Sequence, residues 1–105
     1  MIDFTVNEMQ EMQKELQRKY QDNWEPICPE IGQNKLLWMV GEVIDLIKKY
    51  GAKTASSDQV IRKKLVEEMA DVLMYYNDVL LCYEITAEEL KDAYSEKFKK
   101  NMTRW

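Results

Sequence analysis

Apolar residues along this chain recur every three or four positions, and the residues that break helices fall in clusters. Prolines stand only at 26 and 29, and glycines only at 32, 41 and 51. Long uninterrupted stretches between them read as helices. The first predicted helix runs from about Thr5 to Tyr20, with Met9, Met12, Leu16 and Tyr20 at helical spacing. Thr5 caps it, and Glu8 three residues on completes a capping box. A proline-punctuated loop, DNWEPICPEIG, follows. The second helix is predicted over about Asn34–Tyr50 and stops at Gly51, its apolar stripe formed by Leu36, Leu37, Val40, Val43, Ile44 and Ile47. GAKTASS reads as a linker. Ser57 or Asp58 then caps a third helix that extends to Tyr83 and buries Leu65, Val66, Met69, Val72, Leu73, Tyr76 and Leu80. Thr86 and Glu89 form a second capping box that opens a fourth helix, to about Asn101. No segment alternates with period two for long enough to be a strand. The pattern predicts a single all-α domain over 1–105, a bundle of four to five helices.

The length of the third helix bears on assembly. At 1.5 Å per residue, 58–83 spans roughly 39 Å, whereas a compact monomer of this size has a diameter of roughly 33 Å. An amphipathic helix that overhangs needs a partner, so a homo-oligomer is expected.

Composition narrows the function classes. A net charge of −4 provides no basic footprint for a nucleic-acid polymer. No apolar run approaches the ~18 residues of a membrane span, and the first twenty residues lack a signal-peptide core, so a cytoplasmic protein is expected. Histidine is absent, which removes Ser-His-Asp and Cys-His catalysis and disfavours zinc. Cys28 and Cys82 are too few for a disulfide scaffold and read as small apolar residues.

The acids carry the candidate chemistry. Glu42 and Asp45 are three apart on the second helix, as are Glu68 and Asp71 on the third, with Asp78 two turns further on the same side. Such spacing puts two carboxylates on one helix face. Antiparallel packing of the two helices lets the pairs face each other, and an oxygen-only ligand set suits Mg²⁺ or Mn²⁺. Acids opposite an apolar stripe are ordinarily just a solvated face. Here they are hemmed by Trp38, Met39 and Leu46 on one helix and by Met74, Tyr75 and Leu81 on the other, and few cations are near enough to pair with them. A clustered, unpaired acid group is costly without a cation.

These residues resemble the all-α nucleoside triphosphate pyrophosphohydrolases, the MazG-like family that includes dimeric dUTPases and dCTP pyrophosphatases. Its E-x-x-E motif is filled by Glu42-Val-Ile-Asp45, with Asp for the second Glu, and its E-x-x-D motif by Glu68-Met-Ala-Asp71. Trp24-Glu25 stands ahead of the first motif, as D-W-E does in dCTP-pyrophosphatase-like members. EKFKKNMTRW is similar to the closing K-x-x-x-N-x-x-R-[YW], with Lys97, Asn101, Arg104 and Trp105 in place. The likeness covers Trp24 to the end. It implies Mg²⁺-dependent hydrolysis of a nucleoside triphosphate to a monophosphate and pyrophosphate, in a homodimer or homotetramer. Glu42, Asp45, Glu68 and Asp71 would be the metal ligands, with Glu67 behind them as a water activator. Lys97 and Arg104 would hold phosphate oxygens and Asn101 the nucleotide, and Trp24, Trp38 and Trp105 would offer stacking surfaces. Asp45, one methylene short, leaves open a relative that binds nucleotide or metal without turnover. A plain helical interaction module is the third reading.

Overall fold

A computed structural model describes residues 5–104, and within them every side chain except those of Gln33, Leu36 and Leu37. The described residues form six helices: α1 (Val6–Lys19), α2 (Pro29–Trp38), α3 (Gly41–Tyr50), α4 (Ala52–Ser57), α5 (Gln59–Cys82) and α6 (Ala87–Arg104). There is no strand among the described residues. The architecture is all-α as predicted, with more and shorter helices than expected.

The capping chemistry is realised. The Thr5 hydroxyl accepts from the Glu8 amide at 3.1 Å while Glu8 Oε1 accepts from the Thr5 amide at 3.1 Å. Thr86 and Glu89 repeat that reciprocal arrangement. Asp58 Oδ1 accepts from the amides of Val60 and Ile61 and so starts α5. Each such cap satisfies amides that the first helical turn leaves without partners.

Three boundaries differ from the sequence reading. α2 begins at Pro29 rather than near Asn34, so the last residues of the expected loop are helical, with proline in the first turn, where its missing amide hydrogen is not needed. The predicted second helix is two helices, α2 and α3, separated at Met39 and Val40. Gly41 follows a β-branched valine there, and glycine is the poorest helix former after proline. The expected linker after Gly51 contains a helix, α4. Gly51 takes φ 85°, which lets the chain turn, and α4 then buries Ala55 against α5.

α5 is the axis of the molecule, contacting α1, α2, α3 and α4, with α2 its most extensive neighbour. Gly32 explains that closeness. A Cβ at this position would lie 2.8 Å from the Tyr83 ring and 2.9 Å from Cys82 Cβ. Among the described residues, α6 touches α1 and no other helix.

The expected apolar stripes are covered only in part. Val43, Ile47, Leu65, Val72 and Tyr76 are half-buried and Leu80 is buried, whereas Val40 ahead of α3, Ile44 on α3, and Val66, Met69 and Leu73 on α5 are exposed. The side chains of Leu36 and Leu37 lie outside the described residues. On α1 the buried side chains are Gln10, Gln13 and Gln17, while the expected Met9, Leu16 and Tyr20 are half-buried and Met12 is exposed. Gln10 Nε2 donates to the Ile85 carbonyl and Gln17 Nε2 to Asp78 Oδ1, and Met9 Sδ accepts from Asn77 Nδ2 at 3.8 Å. The buried apolar residues among those described are Ala55, Val79, Leu80 and Cys82. The radius of gyration is 16.1 Å, against about 13 Å for a compact chain of this length.

Candidate metal centre

α3 packs against α5, and this places Glu42, in the first turn of α3, opposite Glu68 and Asp71 on α5. One carboxylate oxygen from each of the three lies within 4.8 Å of the others. Glu42 and Asp71 are exposed, whereas Glu68 is half-buried. The helix pairing that the sequence suggested therefore forms and brings together three of the four expected ligands. Asp45, one turn along α3 from Glu42, is exposed and is not among the three.

Glu68 sits at the strained point of the cluster. Its Oε2 is shielded from solvent and has no hydrogen-bond partner. Its carboxyl is held above the usual carboxylate range, first by a hydrogen bond shared with Glu42, which requires a proton between them. Burial and the charges of Glu42, Asp71 and Glu67 push in the same direction. Either a proton or a cation relieves this repulsion. The donor set is entirely carboxylate, so the cation it fits is a hard one such as Mg²⁺ or Mn²⁺.

A cavity of about 480 Å³ opens beside the cluster. Glu42 and Asp71 line it together with Trp24, Glu25, Lys35, Trp38, Met74, Tyr75 and Asp78. Trp24 and Trp38, singled out in the sequence, thus reach the same cavity as the acids. Trp24 is stacked on Tyr20, with ring centroids 4.8 Å apart. Asp78 has a different role from the acids one turn and more before it. Lys35 Nζ lies 3.2 Å from its Oδ2, and Gln17 Nε2 donates to its Oδ1 at 2.9 Å, so it is buried and fully paired. The sequence reading passed over Lys35. Its signal was a lone cation one turn after Ile31 and one turn before Trp38, on a side of the helix that is otherwise apolar.

The closing motif is not brought to the acids within one chain. Lys97, Asn101 and Arg104 are exposed on α6, and no residue of that helix lines the cavity. Trp105 lies outside the described residues. Glu67 is exposed next to the cluster and acts on Glu68 through its charge. Cys82 is buried, with its thiol pushed up by that burial, and Cys28 is half-buried, so both fill space as expected.

Comparison of the chain with known protein families, with curated proteins and with solved structures finds no match. Among the described residues, no helix is long and apolar enough to cross a membrane.

Proposed function

We propose that this protein is a Mg²⁺-dependent nucleoside triphosphate pyrophosphohydrolase of the MazG-like kind, converting a nucleoside triphosphate and water into the monophosphate and pyrophosphate. The observation that carries the reading is the convergence of Glu42, Glu68 and Asp71, with a covered and unpartnered Glu68 oxygen, beside a cavity walled by two tryptophans. The resemblance of the paired E-x-x-[DE] motifs supports it from the sequence side.

The electrostatics of the cavity fit a substrate that arrives with cations. Glu25, Glu42, Asp71 and Asp78 line it, and Lys35 is the cation among its lining residues. A polyphosphate alone would be repelled. When bound, Mg²⁺ supplies neutralisation of the phosphate oxygens and a more acidic water. Glu42, Glu68 and Asp71 would hold it, with Asp45 a further ligand reached through the neighbouring turn. Glu67 would accept a proton from water close to the cluster. Trp24 and Trp38 offer faces on which a base can stack. Lys97, Asn101 and Arg104 can contact phosphates or nucleotide only from another copy, so the proposed enzyme is a homodimer or homotetramer.

The test is pyrophosphate release from a panel of ribo- and deoxyribonucleoside triphosphates with Mg²⁺. Release by the wild type, lost by at least about 100-fold in Asp71→Ala with helicity unchanged, is expected. No release from any member of the panel sinks the reading. The position of Asp45 outside the three-carboxylate group favours one second reading, a relative that binds metal and nucleotide without turnover. Calorimetry distinguishes it: Mg²⁺-dependent nucleotide binding with no product.

A further inference from the structure

The two cysteines of the chain are far apart in sequence and meet in space. Cys28 is the residue that precedes α2, and its side chain makes no capping hydrogen bond there. Cys82 is the last residue of α5. Gly32, one turn into α2, brings the two ends together. Its amide donates to the Cys28 carbonyl at 3.0 Å, and a Cβ on it would lie 2.9 Å from the Cys82 Cβ. The Cys82 side chain therefore rests on the turn of α2 that Cys28 opens. A disulfide joins Cα atoms about 4.4–6.8 Å apart, the scale of one helical turn, about 5.4 Å. The electrostatics of Cys82 agree with this placement. Burial raises its thiol first of all, the Cys28 amide opposes that rise, and charge on the Cys28 sulfur adds to it. Such influences act between groups that are close in space.

We propose that Cys28 and Cys82 form a reversible disulfide within one chain on exposure to hydrogen peroxide, and that this bond straps the start of α2 to the end of α5. Cys28 is half-buried, whereas Cys82 is 3% exposed, so peroxide reaches Cys28 first. The Cys28 sulfur takes one peroxide oxygen, the O–O bond breaks, and the thiol proton leaves with the other oxygen as water. The product is a sulfenic acid. The Cys82 sulfur then displaces that oxygen. The S–S bond forms, the S–O bond breaks, and the Cys82 proton departs in a second water. Two thiols give up two electrons in all, and one peroxide becomes two waters. A dithiol reverses the change by exchange through a mixed disulfide. Burial shields Cys82 from peroxide and so keeps it reduced for the second step.

The strap acts on a defined part of the molecule. Cys28 ends the loop that carries Trp24 and Glu25, and α2 carries Lys35 and Trp38; all four line the cavity of about 480 Å³. In the reduced chain the ion pair of Lys35 with Asp78 ties α2 to α5 further along the helix. The disulfide adds a covalent tie at the end of α2 that this pair does not reach, and it fixes the cavity wall from both sides. The inference is independent of what the acidic cavity does.

The test uses the full chain, reduced, freed of reductant and exposed to a small excess of hydrogen peroxide, with ¹⁴N- and ¹⁵N-labelled copies mixed. The product is expected to be two hydrogens lighter. Digestion after the remaining thiols are blocked should join the peptide of Cys28 to that of Cys82, both with the same label, and dithiothreitol should part them. Closing so long a loop should raise the melting temperature by about 10 °C. Cys28→Ser exchanges a single atom of a half-buried side chain, so it should keep its helicity by circular dichroism while losing both the link and the shift in melting. The wild-type peptide map stands without any variant. Links that always mix the labels, thiols that gain oxygen without linking, or a linked chain whose melting temperature does not rise would each overturn the proposal.

Discussion

Glu68 is a single residue in which fold stability and metal binding pull against each other. Its carboxyl is raised above the ordinary value near 4.5 by the shared hydrogen bond with Glu42, by burial and by three neighbouring acids. A group whose pKa is raised by folding contributes its stability below the unfolded value and loses it as the pH climbs through the folded value. The metal-free protein should therefore lose stability as the pH rises above about 4.5, to the extent that Glu68 governs it. Mg²⁺ competes with the proton, so the stabilisation it brings should grow over the same window. Glu68→Gln copies the protonated form. It is expected to leave the metal-free melting temperature at neutral pH unchanged or higher, and to abolish the rise caused by Mg²⁺. Melting curves between about pH 4 and 8, with and without Mg²⁺, check both halves. A large loss of metal-free stability in this variant would make Glu68 a structural residue. The cluster was legible in the sequence because i, i+3 spacing is a local property of a helix. The pairing of Asp78 was not, because its partners Lys35 and Gln17 come from two other helices, 43 and 61 residues away.

Helix contacts turn on a few positions where the sequence offers little warning. Gly32 and Gly41 are the same residue type with opposite requirements. A methyl group at Gly32 meets Cys82 and Tyr83 at under 3 Å, while one at Gly41 meets nothing within 4 Å. Gly41→Ala should stabilise by about 0.5–1 kcal/mol through backbone entropy. Gly32→Ala should instead destabilise by about 1–2 kcal/mol as α2 is pushed from α5. Urea unfolding of the two variants separates the cases, and equal effects would mean that the α2–α5 approach is not tight. Lys35 and Asp78 make a second such junction. Their side chains are 12% and 5% exposed, and with Gln17 they tie α1, α2 and α5 together. Lys35→Ala leaves a buried carboxylate uncompensated and should cost about 3–5 kcal/mol. Adding Asp78→Ala should recover part of that loss, and a double-mutant cycle measures how much. The longer helices α1, α5 and α6 were readable, since caps and breakers act locally, but α4 was not, its short segment having the composition of a linker. The direction each helix faces was not readable either, because α1 buries Gln10, Gln13 and Gln17 while Met12 stays exposed. The break before Gly41 shows the same limit: one continuous apolar stripe is compatible with one helix or with two.

For the whole molecule the outstanding fact is how little apolar side-chain mass is enclosed among the described residues. Val60, Val66, Met69, Leu73 and Met74 on α5 alone are between 45% and 66% exposed. The chain's elongation to 46 × 38 × 33 Å keeps many half-buried positions wet. Helix length alone predicts association, and the exposed faces lead to the same expectation: folding and association should be one transition. If so, stability depends on protein concentration by mass action. For a dimer, a hundredfold rise in concentration adds about 2.7 kcal/mol per dimer. Divided by an unfolding entropy of about 0.44 kcal/mol/K for two chains, this is a rise in melting temperature of about 6 °C. Calorimetry between about 1 and 100 μM protein reads it directly. A midpoint that does not move over that range would mean that the single chain holds its fold unaided, and that its uncovered helix faces are tolerated rather than partnered.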